Sequence, residues 1–131
     1  MVTGGTVKIP NWPSSTTQVG DHYRKLLTRM GANVEVVNDV LTISGSGEII
    51  GIEADLSEAG ELAPTIAALC ALAVSPSKLI GIGHLRGHET DRLAALVAEI
   101  NNLGGNAKEL ADGIDITPQL LHGGLWHTYH D

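Results

Sequence analysis

The stretch Met30-Gly31-Ala32-Asn33, running on to Asp39, Leu41, Ile43 and Ser44, has a counterpart in Leu103-Gly104-Gly105-Asn106, running on to Asp112, Ile114, Ile116 and Thr117, at a constant offset of 73 residues. At that offset Val7 and Ile9 fall on Ile80 and Ile82, and Leu27 falls on Ile100. A glycine after an apolar periodic segment stops a helix, and alternating apolar residues mark a half-buried strand. Each copy therefore reads as strand, helix, strand, strand. The last two strands close as a hairpin, turned by Asn38-Asp39 in one copy and Asp112-Gly113 in the other.

Between the copies, Ile49 to Leu56 reads as an extra strand and about Glu61 to Val74 as a helix with Pro64 in its first turn. Ala63, Ile66, Ala67, Ala68, Leu69, Ala71, Leu72 and Ala73 leave that helix no polar face, which predicts burial on all sides. The second copy is then a full β-α-β-α-β-β unit, and the first lacks its opening strand and helix. The expected division is 4–45 for the incomplete first unit, 49–117 for the complete one and 118–131 for the start of a following segment. No Gly/Ser-rich or Pro-rich linker separates them. The fold class is α/β (α+β).

Chemistry concentrates in His84-Leu85-Arg86-Gly87-His88-Glu89-Thr90-Asp91-Arg92-Leu93. Leu79-Ile80-Gly81-Ile82-Gly83 before it reads as a short buried strand. Leu93, Leu96, Val97, Ile100 and Leu103 after it mark an amphipathic helix, ended by Gly104-Gly105. The spacing puts Glu89 and Arg92 in the first turn of that helix, where free N–H groups and the helix dipole favour anions. A strand end opening into a helix is a common place for an α/β site. Taken locally, Glu89 also reads as a first-turn helix acid, Arg92 as its surface partner, Glu61 as another first-turn acid and His88 as a cap. Trp126, His127, Tyr129 and His130 read as packing or solvated residues.

Composition narrows the function. A net charge of −7 opposes non-specific nucleic-acid binding, which needs a basic face. The longest apolar run, Ile66 to Val74, is too short to cross a bilayer. With 43% hydrophobic residues, four aromatics and no Phe, the core is aliphatic, and the single Cys70 reads as filler within it. A cytoplasmic protein is expected. His84, His88 and Glu89, joined by His122, His127 or His130, are metal-ligand types, but their spacing spans a strand-to-helix corner and does not guarantee convergence.

Three motifs in order, Gly60-Glu61-Leu62-Ala63-Pro64-Thr65, Arg86-Gly87-His88-Glu89-Thr90-Asp91-Arg92-Leu93 and Thr128-Tyr129-His130-Asp131, resemble those of 5-enolpyruvylshikimate-3-phosphate synthases, especially actinobacterial ones. The resemblance spans essentially the whole chain. It implies the enolpyruvyl transferase fold, an inside-out α/β barrel of repeated β-α-β-α-β-β units, with about one and a half units present. It also implies an enzyme of the shikimate pathway, which moves the enolpyruvyl group of phosphoenolpyruvate to the 5-hydroxyl of shikimate 3-phosphate and releases phosphate. No cofactor or metal is implied.

By the same resemblance, Glu61 matches the carboxylate that contacts the shikimate hydroxyls and acts as a base. Glu89 matches the second acid/base residue, and Arg92 the arginine that grips phosphoenolpyruvate. His88 stands on the phosphate side of the shikimate position, where many relatives have Lys, so its charge depends on an imidazole that titrates near ~6.5. His84 stands where some relatives have a polar substrate ligand. The family continues beyond Asp131 with a His-Arg-Met-Ala motif, so the chain is expected to be a fragment of one domain without turnover of its own. Exposed apolar surface is expected to make it self-associate. The competing readings are a relative acting on UDP-N-acetylglucosamine and a non-catalytic folding or association module.

Overall fold

The structure, a computed structural model, describes residues 1–87 and 90–129. The chain forms two compact units, Met1–Ile50 and Gly51–Asp131. No helix among the described residues is long and apolar enough to cross a membrane.

The first unit contains β1 (Thr6–Pro10), α1 (His22–Arg29), β2 (Asn33–Val37) and β3 (Val40–Ser44), in an antiparallel sheet of order β1-β3-β2. Its register opposes Val7 to Ile43 and Ile9 to Leu41 on one side, and Val34 to Ile43 and Val36 to Leu41 on the other. Side chains alternate along a strand, so these six apolar residues share one face. Asn38 and Asp39 turn the β2–β3 hairpin, both at positive φ as a type I′ turn requires. The approach to α1 is tied by Trp12, whose Nε1 donates to Asp21 Oδ1 at 2.9 Å, and by Arg24, whose Nε and Nη2 donate to the same carboxylate. Those bonds, the arginine's first, hold the Asp21 carboxyl below its ordinary range.

The second unit contains β4 (Glu53–Asp55), α2 (Ala63–Ala71), β5 (Ser77–Ile80), α3 (Arg92–Asn102), β6 (Asn106–Leu110) and β7 (Gly113–Thr117). Its sheet has the order β4-β5-β7-β6, with β4 parallel to β5 and the other pairs antiparallel. Ala54, Leu79, Ile114 and Ile116 fall on one face by register and are at most 3% exposed beneath α2 and α3. The opposite face carries Lys78, Asp115 and Lys108 in a cross-strand row of alternating charge.

Both copies end their helix in the same way. Gly31 and Gly104 take positive φ (96° and 87°). They donate to Thr28 and Asn101, while the next residues, Ala32 and Gly105, donate to Leu27 and Ile100. This is the Schellman cap, which satisfies the last carbonyls and favours glycine at the left-handed position.

Several expectations need correction. The repeat offset of 73 holds for β2/β6 and β3/β7 but not for the opening strands. Val7 and Ile9 oppose Ile43 and Leu41, whereas Ser77 and Leu79 oppose Ile116 and Ile114, so β1 corresponds to β5 at an offset of 70. The helix starts, His22 and Arg92, keep that offset, and α3 is 11 residues long against 8 in α1. The inserted three residues lie within the helix, and an odd shift moves strand side chains to the opposite face. Ile80 is therefore not the counterpart of Val7.

The second hairpin turns on Ala111-Asp112, between Leu110 and Gly113, rather than on Asp112-Gly113. Neither turn residue takes positive φ. Gly113 starts β7, where a Cβ would collide with the Leu79 carbonyl. The strand expected over 49–56 is regular only at Glu53–Asp55, because Gly51 and Ile52 donate to the side chains of Ser75 and Ser77 instead of to a neighbouring strand. The strand expected over 79–83 ends at Ile80, since Gly81 turns the chain at φ 76°. The central helix opens as a 3-10 turn at Gly60–Leu62 and ends at Ala71, before Val74. It is not buried all round. Ala63, Ile66, Ala67 and Cys70 are fully buried against the sheet and α3, while Thr65, Ala68 and Leu72 are exposed on the side that meets neither.

Candidate functional site

Neighbouring parallel strands deliver their C-terminal ends to the same edge of a sheet, and β4 and β5 do so here. After β4 the chain makes the 3-10 turn Gly60–Leu62, with Glu61 exposed and Leu62 buried as its anchor. After β5 it turns at Gly81 and makes a second 3-10 turn, Gly83–Gly87, with His84 exposed and Leu85 anchoring it at 1% exposure. The two turns touch. A Cβ on Gly60 would lie 2.5 Å from His84 Nε2, so the imidazole occupies the space that glycine leaves open beside Glu61.

The β6–β7 turn reaches the same edge and fixes the second loop. Asp112 accepts from the N–H groups of Gly81 at 3.1 Å and Gly83 at 2.9 Å through its carboxylate, and its own carbonyl accepts from Ile82 at 3.2 Å. Three successive backbone donors are thus satisfied by one residue. Asp55 closes the end of β4 in a similar way, accepting from the Ser57 N–H at 2.9 Å, and that bond lowers its carboxyl below the ordinary range.

Helix α3 starts at Arg92, with Asp91 as N-cap accepting the Ala94 N–H at 3.0 Å. The first turn therefore begins at Arg92; Glu89, expected in that turn, lies outside the described residues. Arg86, the other cation of the cluster, is bound into the fold. It donates to Glu109, to Asp91 at 3.4 Å and to the Leu110 carbonyl at 2.9 Å. The Glu109 bond is the main cause of its raised pKa. Arg86 braces the start of α3 against β6.

Arg92 lines a cavity of about 360 Å³ together with Pro64, Thr90, three further residues of α3 (Ala95, Leu96 and Glu99) and residues 126–129. Pro64 sits in the first turn of α2, directly after the turn that carries Glu61. The cavity thus includes the first turn of α3, where the positive end of the helix dipole favours an anion.

Seven residues along α3 stands a buried carboxylate that the sequence reading passed over. Glu99 is 1% exposed, on the stripe that otherwise carries Leu93, Leu96 and Ile100. It accepts from Tyr129 Oη at 2.7 Å, from the His127 N–H at 3.0 Å, and from His127 Nδ1 at 3.3 Å. These bonds, the tyrosine's first, lower its pKa and raise that of Tyr129. An acid inside an apolar stripe was the available signal. A second was Asp112, which repeats Asp39 at the hairpin turn.

Of the sequence-predicted residues, Glu61 and His84 lie on touching turns, and Arg92 lines the cavity beside Pro64. His88 and Glu89 lie outside the described residues. Among the described residues no group of three or more His, Cys, Asp or Glu side chains could hold a metal ion. Cys70 is buried, and burial raises its thiol pKa, as expected of core filler.

Comparison with known proteins places the sequence and the fold. A 3-phosphoshikimate 1-carboxyvinyltransferase of the actinobacterium Kocuria rhizophila is 61% identical over 131 residues, all of this chain and 29% of that protein. Two solved structures of EPSP synthase from Acinetobacter baumannii share the fold. One has a TM-score of 0.69 at 23% identity, covering 88% of this chain and 28% of that one. The other has a TM-score of 0.64 at 22% identity, covering 96% and 30%. The chain thus spans under a third of the length of the relatives it matches. The sequence pattern of one family matches residues 1–131 throughout, and the chain belongs to that family, EPSP synthase (3-phosphoshikimate 1-carboxyvinyltransferase).

Proposed function

We propose that this chain is part of an enzyme that transfers the enolpyruvyl group of phosphoenolpyruvate to the 5-hydroxyl of shikimate 3-phosphate and releases phosphate. In this reading Glu61 contacts the shikimate hydroxyls and serves as a base. Glu89 delivers and withdraws the second proton, Arg92 holds phosphoenolpyruvate, and His84 and His88 bind on the shikimate 3-phosphate side. Addition to an enol ether and loss of phosphate each require a proton to be given at one stage and taken at another, work that a positioned carboxylate does for roughly 10²- to 10⁴-fold. Fixed cations hold the anionic substrates and balance charge as the phosphate departs.

The observation that carries the reading is the contact of His84 with Gly60, which joins the turn bearing Glu61 to the loop leading to Arg92. The single unpaired thiol at Cys70 and the phosphorylated metabolites of this reading fit a cytoplasmic setting. Exposed Leu72 and Val74 in the second unit, 48% and 62% exposed, support self-association. Calorimetric titration with shikimate 3-phosphate and then phosphoenolpyruvate tests the assignment. We expect E61Q to weaken the first ligand and R92A the second; equal affinities in both variants would overturn it.

A further inference from the structure

Residues 120–129 carry little apolar burial of their own: Leu120 is 96% exposed, Leu125 73% and Trp126 46%. Tyr129 also takes φ 57°, a left-handed conformation that side chains with a Cβ adopt only at a cost. Yet residues 126–129 form one wall of the Arg92 cavity. What ties them to α3 is Glu99, through the Tyr129 hydroxyl at 2.7 Å, the His127 N–H at 3.0 Å and the His127 ring at 3.3 Å. A buried carboxylate with several donors of this kind orders the segment that supplies them.

We infer that Glu99 is a positioning residue: it fixes residues 126–129 as the wall facing Arg92, so anion binding at Arg92 depends on it. The inference rests on Arg92 holding the anion in the function proposed above. Its sign separates it from simple electrostatics. Glu99 lies two helical turns from Arg92 and lines the same cavity, so its charge opposes an anion there. Neutralising it without structural consequence would tighten anion binding. As a positioning residue it does the reverse.

The test uses the 131-residue chain and its E99Q, E99D, Y129F and R92A forms, titrated calorimetrically with phosphoenolpyruvate, with hydrogen exchange read at the His127 amide. We expect E99Q, E99D and Y129F each to weaken binding by about fivefold or more, the size of one hydrogen bond worth about 1 kcal/mol. We also expect E99Q and E99D to remove protection at His127 while the Leu96 and Ile100 amides keep theirs. Binding by E99Q that equals or exceeds that of the unaltered chain overturns the inference, as does a His127 amide still protected in E99Q. An unaltered chain that binds no phosphoenolpyruvate refutes the Arg92 reading and the anion half of the inference with it; the role of Glu99 in holding the wall is then decided by the amide alone.

Discussion

Replacing Asp91 separates the cap of α3 from the ion pair beside it. One carboxylate oxygen accepts the Ala94 N–H at 3.0 Å, and the other receives Arg86 Nη1 at 3.4 Å, between side chains 41% and 33% exposed. Loss of an aspartate cap costs about 1 kcal/mol, within a range of roughly 0.5 to 2. A half-exposed pair at that distance adds between about 0 and 1 kcal/mol, and Arg86 retains Glu109 and the Leu110 carbonyl. D91A is therefore expected to destabilise the second unit by about 1–2 kcal/mol, while D91N, which caps as well as aspartate, costs at most about 0.5 kcal/mol. The assay is urea denaturation in a W12F background, followed by Trp126 fluorescence and by far-ultraviolet circular dichroism, so that the remaining tryptophan reports on the second unit. Equal losses in D91A and D91N would refute the reasoning, because the charge and not the cap would then hold Arg92 at the helix start.

Further outcomes follow from the same geometry. G60A should displace the His84 ring, since the new methyl would lie 2.5 Å from Nε2; we expect about 1–3 kcal/mol of destabilisation and a moved His84 signal in imidazole-detected NMR. I66A removes a side chain that is 0% exposed between α2 and the sheet, and should cost about 2–5 kcal/mol in urea titration. Glu99 is held below its ordinary value of 4.5, so its contribution is complete above that pH and is lost as the pH falls through the lowered value. Protection of the His127 amide should accordingly fall in acid below pH 4.5, and protection that persists undiminished through strong acid would contradict the account. Cys70 should react slowly with a thiol reagent in buffer and rapidly in urea, as a buried thiol with a raised pKa does.

The turn of the first hairpin and the helix stops were legible because they are local: Asn38-Asp39 makes its own turn, and Gly31 and Gly104 make their own caps. The β-α-β-α-β-β order also followed from periodicity. The register of the opening strands did not, because a three-residue lengthening of α3 leaves no composition signal and still exchanges the two faces of a strand. Burial all round α2 is incomplete in this chain, and the apolar side left open is the surface from which self-association is proposed. An apolar helix shows what it can bury, not how many neighbours reach it. Glu61, His84 and Arg92 stood out by type and order, but their placement depends on the parallel pairing of β4 with β5, a contact between residues far apart in the chain. The loop-fixing role of Asp112 and the burial of Glu99 were not legible because each answers to donors well away in sequence: Gly81 and Gly83 for one, His127 and Tyr129 for the other.

A crystal structure of the chain with shikimate 3-phosphate and phosphoenolpyruvate bound examines the central claim most directly. The account predicts one ligand pair at the C-terminal edge of β4 and β5, with Glu61 against a shikimate hydroxyl, His84 beside it and Arg92 on phosphoenolpyruvate. Ligands bound elsewhere, or Glu61 and Arg92 facing separate surfaces with no ligand pair between them, would contradict it.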